Sequence, residues 1–142
     1  LVPVQRFQTA LISRFVTRGS ARALVTPISL VLLVGLLGAG LAWLIGPWLM
    51  VTIQRGNQDF WVSGGFLAVL TFASACAGAL MITGAAALAR EQHAFYVAGW
   101  VTATLVAFIF LLVPLPLELS VGLGLIIGPM AGGAVHASAF RR

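Results

Sequence analysis

Long stretches without any charged side chain are the feature that most limits how this sequence can fold. Four of them, of 32, 30, 26 and 22 residues, lie between the pairs Arg22 and Arg55, Asp59 and Arg90, Glu91 and Glu118, and Glu118 and Arg141. A helix needs about 20 apolar residues to cross the roughly 30 Å hydrocarbon core of a bilayer. β-Strands are excluded because the strands of a membrane barrel are segments of about 10 residues in which polar and apolar side chains alternate, whereas these stretches are apolar on every side. The sequence therefore predicts an all-α membrane bundle with four transmembrane helices.

Composition excludes a soluble globular domain and a nucleic-acid partner. Hydrophobic residues make up 61% of the chain and charged residues 8%, and the mean hydropathy is +1.08. Lipid is the solvent that such a composition suits. The pI near 11.5 comes from eight arginines that lie between the apolar stretches. A nucleic-acid site would instead gather them on one face with aromatic partners.

Two regions are predicted, an amphipathic segment over residues 1–23 and a four-helix membrane region over residues 24–142. The predicted spans are, approximately, residues 24–51, 61–89, 95–113 and 117–139. Thr26 and Pro27 are the expected N-cap and first-turn proline of the first span. Pro114 and Pro116 are expected to break the chain before the fourth.

The amphipathic segment has an apolar and a polar side at helical spacing. Val4, Phe7, Leu11 and Phe15 form one side, and Gln5, Arg6, Thr9 and Ser13 form the other. Two interpretations stay open: an interfacial anchor on anionic lipid, or the inner end of a helix whose polar face lines a cavity.

Arginines crowd one side of the predicted membrane. Side two carries Arg55 alone, and side one carries Arg6, Arg14, Arg18, Arg22, Arg90, Arg141 and Arg142. Because cytoplasmic loops carry the excess of basic residues, both termini are predicted to be cytoplasmic in the cell membrane. Aromatic rings that favour the headgroup level agree, with Trp48, Phe60 and Trp61 at the outer boundary and Tyr96 and Trp100 at the inner one.

Small residues recur every four positions in three of the spans. The stripes are Ser120, Gly124, Gly128 and Gly132, followed by His136; Gly38, Ala42 and Gly46; and Ser74 with Gly78. Such spacing lets a second helix approach closely, because helices in lipid associate through packing. The stripes are interpreted either as tight packing within one bundle or as a sliding interface of a transporter.

Prolines inside the spans are candidate hinges. Pro47 and Pro129 leave the carbonyls of Trp43 and Leu125 without their usual amide partners. The alternative interpretation is that they only shape the helices. No span carries a carboxylate in mid-helix, where an ion-coupled site usually places one. This argues against a complete four-helix drug/proton antiporter.

Catalytic and metal sites are not predicted. No serine, cysteine or carboxylate has a histidine at hydrolase-like spacing, and no glycine loop carries a P-loop lysine. His93 and His136 are isolated, whereas a metal site needs three or four converging ligands. Cys76 lies alone in an apolar stretch and cannot form an internal disulfide. The sequence predicts no enzyme activity, no cofactor and no metal.

The order of these features resembles a known transporter family. The features are Pro3 with the stretch from Gln5 to Arg14, the basic link Arg14, Arg18 and Arg22, the outer helix end Gly46-Pro47-Trp48-Leu49, the loop Gly56-Asn57-Gln58-Asp59, the helix end Leu88-Ala89-Arg90 with His93, and Pro114-Leu115-Pro116-Leu117-Glu118 followed by Gly122, Gly124 and Gly128-Pro129. Together they are similar to the C-terminal portion of the lipid-linked oligosaccharide flippases, the polysaccharide-biosynthesis branch of the multidrug/oligosaccharidyl-lipid/polysaccharide exporter superfamily.

That resemblance implies two lobes of helices, alternating access, and a cationic cavity for the pyrophosphate of a polyprenol-linked glycan. Arg6 is the basic candidate for the cavity, with Gln5, Thr9 and Ser13 as polar lining. The partners implied are the bilayer and the remaining helices of a longer transporter, and the chain, which starts without methionine, is interpreted as an excerpt of one. Two alternatives remain: a small non-catalytic four-helix membrane subunit that acts by helix packing, and another secondary transporter.

Overall fold

Four long helices make up most of the part of the chain that the computed structural model describes, residues 22–139. They are α1 (Arg22–Ile53), α2 (Gly64–Ala89), α3 (His93–Leu112) and α4 (Leu117–Ser138), with a 3-10 turn at Gln58–Phe60 after α1. Each helix is long and apolar enough to cross a membrane. The prediction of an all-α membrane bundle with four spanning helices is confirmed.

Several predictions lie outside the described residues. They are the amphipathic segment over most of residues 1–23, the cavity candidates Gln5, Arg6, Thr9 and Ser13, and the arginines at positions 141 and 142. The division between residues 23 and 24 falls within α1, which already includes Arg22.

The predicted cap of the first helix is wrong, and the start of the second lies three residues later than predicted. Thr26 does not cap the first helix, because α1 includes residues 22–25 and continues through Pro27. A proline in a membrane helix is tolerated where neighbouring groups satisfy the freed carbonyl. The second helix begins after Trp61, at Gly64, because the Ser63 hydroxyl accepts a hydrogen bond from the amide of Phe66 at 3.3 Å and caps the helix.

Helices α2 and α4 occupy the centre of the bundle. Helix α1 packs mainly on α2, α2 packs on α4, and α4 packs on α3. Leu80 of α2 and His136 of α4 are the largest fully buried side chains of the described residues. The outer helix α1 instead exposes large apolar side chains, among them Trp43, Leu44 and Trp48, each more than 60% exposed. These side chains are suited to lipid or to further helices.

Two turns close their helices with left-handed residues that are not glycine. Arg55 after α1 has a φ of 56°, and Glu91 after α2 has a φ of 61°. In both turns the next amide bonds back to a carbonyl five residues earlier, from Gly56 to Val51 at 2.9 Å and from Gln92 to Ala87 at 3.0 Å. This is the Schellman arrangement, in which glycine is the usual left-handed residue.

Candidate functional site

Helices α3 and α4 meet along a seam of small residues. A Cβ built on Gly124 would lie 3.0 Å from the carbonyl oxygen of Ala107, and one on Gly128 would lie 2.7 Å from that of Ala103. A Cβ on Gly132 would meet the carbonyl oxygen of Gly99. The two antiparallel helices therefore touch backbone to backbone at every turn. Only glycine on α4 leaves room for this approach.

His136 occupies the next position of the same stripe, one turn beyond Gly132. Its side chain is fully buried. The imidazole lies over Gly99 of α3, where any Cβ would overlap the ring. Gly84 of α2 also faces it, with a built Cβ 3.2 Å from the imidazole Cε1. One large polar side chain is thus accommodated between three helices because glycines on two of them leave space for it.

Both ring nitrogens of His136 have partners on neighbouring helices. Nε2 lies 3.1 Å from the backbone carbonyl oxygen of Tyr96 in α3, and Nδ1 lies 3.0 Å from the hydroxyl of Thr83 in α2. The same hydroxyl lies 2.9 Å from the carbonyl oxygen of Leu80. The ring of Tyr96 stacks on the imidazole, with centroids 6.1 Å apart and planes 5° from parallel. We call His136, Thr83, Tyr96 and Leu80 the His136 site.

The direction of one of these hydrogen bonds is fixed by chemistry. A carbonyl oxygen only accepts, so Nε2 of His136 carries a hydrogen and donates it to Tyr96. Inside a membrane every polar group must find its partner within the protein. The hydroxyls of Thr71 and Ser74 do so on their own helix, at the carbonyls of Leu67 and Leu70. Thr83 differs because its hydroxyl also reaches another helix.

A second line of close contacts joins α1 to α2. A Cβ on Gly38 would lie 3.3 Å from the Thr71 methyl, and one on Gly46 would lie 2.7 Å from Cδ1 of Leu67. Ala42, between them in the predicted stripe, is half-buried. Gly38 and Gly46 therefore face side chains, whereas Gly35 faces the Cβ and Cα of Ala75 and Gly64 faces the backbone carbonyl of Trp43. In the seam, Gly124, Gly128 and Gly132 all face backbone.

The two candidate hinge prolines lie inside unbroken helices. Helix α1 continues through Pro47, and α4 continues through Pro129. Pro47 has no backbone N–H to donate to the carbonyl of Trp43. That carbonyl lies against Gly64 at the start of α2. The hinge role of both prolines stays a prediction.

Other candidate sites are weaker. An apolar cleft of about 130 Å³ opens between α3 and α4 and is lined by Ala107, Leu111, Val121, Gly124 and Leu125. The indole nitrogen of Trp100 is buried without a hydrogen-bond partner among residues 22–139. Within that range no three His, Cys, Asp or Glu side chains come together as a metal site would require.

Sequence reasoning placed His136 on the small-residue stripe but did not identify the site around it. The sequence feature that indicates the site is a single large polar residue at the end of a glycine stripe. A matching stripe on α3, made by Gly99, Ala103 and Ala107 at the same four-residue spacing, was also present in the sequence. Thr83 gave no signal, because threonine is common in membrane helices and usually bonds its own backbone.

Known proteins similar to this chain come from mycobacteria. The chain is 40% identical over 144 residues to the uncharacterized protein Rv1510 of Mycobacterium tuberculosis. It is 39% identical over 144 residues to the uncharacterized proteins Rv3630 of Mycobacterium tuberculosis and Mb3654 of Mycobacterium bovis. Each alignment covers 100% of this chain and 33% of the relative, so the chain spans about a third of the length of these curated relatives. No family model matches the sequence, and no solved structure matches it.

Proposed function

We propose that this chain is part of a membrane transporter that flips a lipid-linked oligosaccharide or polysaccharide precursor across the cytoplasmic membrane by alternating access. Transport of this kind needs helices that move as rigid groups around a site near the middle of the membrane. It needs no covalent chemistry from the protein.

The observation that carries the proposal is the division of the bundle into two kinds of helix contact. The seam between α3 and α4 joins backbone to backbone through Gly124, Gly128 and Gly132, which makes this pair rigid. The contact of α1 with α2 is mixed: flexible side chains such as Leu67 fill part of it, and Gly35 and Gly64 make close approaches elsewhere. A rigid pair beside a contact that mobile side chains partly fill supports a rocking lobe.

The uncovered surface of α1 supports a larger assembly. Trp43, Leu44 and Trp48 are each more than 60% exposed, and α1 packs mainly on one neighbour. The similar mycobacterial proteins are about three times as long as this chain, which leaves room in them for further membrane helices. In the proposed transporter such helices cover part of α1.

The proposed orientation places the turn at Arg90 in the cytoplasm and the loop at Asp59 outside. Arg90 and Asp59 lie at opposite ends of α2. The excess of arginine on the Arg90 side favours this orientation through the positive-inside rule. In the same proposal Arg6 binds the pyrophosphate of a polyprenol-linked glycan, with Gln5, Thr9 and Ser13 beside it.

A flipping assay on the full-length protein tests the function. The protein is reconstituted in vesicles with a fluorescent polyprenol-pyrophosphate oligosaccharide, and the fraction of lipid that becomes accessible to an external glycosidase is measured over time. We expect faster flipping than in empty vesicles, and slower flipping with Arg6→Ala than with the matched control Arg14→Ala. Equal rates with and without protein would refute the proposal.

The alternative of a small four-helix subunit makes a different prediction. The His136 site is completed by residues of this chain, which suits a unit that folds without additional helices. Such a subunit would show no flipping and would co-purify in fixed ratio with a larger membrane protein. The size of the native polypeptide in membranes separates the two, because the transporter needs an upstream lobe.

A further inference from the structure

The His136 site has hydrogen-bond partners arranged for two protonation states of the same ring. We propose that His136 is a proton-binding site inside the membrane bundle, which takes up and releases one proton at Nδ1 while the Thr83 hydroxyl reverses its hydrogen bond. The inference rests on the geometry of this site and is independent of the transport proposal.

In the neutral state the ring donates from Nε2 to the carbonyl of Tyr96, at 3.1 Å. Its Nδ1 then accepts from the hydroxyl of Thr83, at 3.0 Å. The carbonyl of Leu80 receives nothing from that hydroxyl, which has a single hydrogen. The other neutral tautomer is disfavoured, because it would direct the lone pair of Nε2 at the carbonyl oxygen of Tyr96.

In the protonated state Nδ1 becomes a donor and the Thr83 oxygen accepts from it. The hydroxyl hydrogen turns to the carbonyl of Leu80, which already lies 2.9 Å away. All three hydrogens then have acceptors, and no heavy atom needs to move. Protonation thus produces a continuous chain of hydrogen bonds that runs from the carbonyl of Tyr96 through His136 and Thr83 to the carbonyl of Leu80.

The surroundings supply partial charges of both signs rather than a counterion. His136 lies in the last turn of α4, where unpaired carbonyls favour a cation. Tyr96 lies in the first turn of α3, where the partial charge of the helix end is positive and opposes it. The hydrogen-bond partners, rather than a neighbouring ion, would therefore have to stabilise the added proton.

The titratable groups on the packed elements are Cys76 of α2, Arg90 and Glu91 of the turn, His93 and Tyr96 of α3, and Glu118 of α4. Tyr96 contacts the imidazole by ring stacking. No described carboxylate bonds to His136, so protonation adds a full positive charge to a buried position. This charge change is what would allow the site to influence the packing of α2, α3 and α4.

Nitrogen NMR on the protein in lipid bilayers tests the proposal directly. The sequence has two histidines, so His93→Gln leaves His136 as the only ¹⁵N-histidine signal. We expect Nδ1 to change from an acceptor to a protonated nitrogen as the pH falls, while Nε2 keeps its hydrogen throughout. A ring that stays neutral over the whole pH range in which the bundle remains folded overturns the proposal.

The role of Thr83 is tested by adding Thr83→Val, which keeps the shape and removes the hydroxyl. We expect the proton affinity of His136 to fall by about tenfold, because the charged ring loses a stronger hydrogen bond than the neutral ring does. Thr71→Val is the matched control, because that hydroxyl bonds only its own helix among the described contacts. Thr83→Ser should restore the affinity, and it provides the measurement if Thr83→Val does not fold. If His136 has the same proton affinity in Thr83→Val and in Thr71→Val, the hydroxyl switch is contradicted. It is also contradicted if Thr83→Ser, which keeps the hydroxyl, lowers the proton affinity about tenfold relative to the unmodified protein.

Discussion

Replacement of Gly128 by alanine tests the backbone seam most directly. The new Cβ would lie 2.7 Å from the carbonyl oxygen of Ala103 and 3.2 Å from the Cβ of Ala107. Carbon–oxygen contacts of this kind are favourable near about 3.3–3.6 Å, so α3 and α4 must separate locally by roughly 0.6–0.9 Å. Because the facing atom belongs to the backbone, no side chain can rotate to relieve the contact.

The expected loss of stability follows from two opposing terms. Overpacking in a close interface costs about 1–3 kcal/mol. Alanine recovers up to about 1 kcal/mol over glycine within a helix. The net loss in the free energy of unfolding is therefore about 0–3 kcal/mol, and Gly128→Ala should be about 1–3 kcal/mol less stable than a Gly→Ala variant at an open position, where only the propensity term acts.

Gly40→Ala is the matched control on α1, because a Cβ there meets nothing within 4 Å. This variant should be neutral or up to about 1 kcal/mol more stable. Reversible unfolding of both proteins in mixed micelles, followed by circular dichroism as SDS is increased, gives the two values. If Gly128→Ala is as stable as Gly40→Ala, the two helices do not touch as described.

Three further predictions concern the helix ends. Glu91→Gly should raise the free energy of unfolding by about 1 kcal/mol in the same SDS titration, since the left-handed conformation of Glu91 costs about that much for a residue with a Cβ. The control Gln92→Gly should give no such gain, because Gln92 has an ordinary negative φ. Equal gains in the two variants would contradict the explanation. Ser63→Ala should lower stability by about 1 kcal/mol through loss of the α2 cap, while Ser63→Thr should retain most of it, and an unchanged Ser63→Ala protein would show that the cap contributes nothing. In a Cys76→Ala background, cysteines at positions 57 and 92 should react with an impermeant maleimide from opposite sides of the membrane; reaction from the same side would remove the proposed topology.

The number and approximate bounds of the helices could be predicted from the sequence because charge sets them. A stretch such as residues 60–89 contains no charged residue and is predominantly apolar, so it can enter the membrane as a whole. Local cap signals were less informative. In a soluble protein, Thr26 followed by Pro27 would indicate the start of a helix. In a membrane helix the same pair is tolerated inside a longer span.

The contacts between helices could be predicted only in part. The helices are apolar on every side, so hydropathy does not tell which face meets a neighbour. The four-residue spacing of Gly124, Gly128 and Gly132 does mark the face of α4 that lies against α3. The partnership of His136 with Thr83 depends on how α2 crosses α4, and no spacing within one helix encodes that.

The position of His136 at the end of the seam limits how α3 and α4 can move. An axial slip of one turn, about 5.4 Å, in one direction would bring the imidazole level with Ala103, whose methyl group fills the space that Gly99 leaves open. A slip the other way would withdraw the ring from Tyr96 and Thr83 and leave buried nitrogens unsatisfied. The glycines alone would permit such a displacement, but the histidine fixes the register. Any large rearrangement that keeps these hydrogen bonds must therefore carry α2, α3 and α4 together and take place where α1 packs on α2.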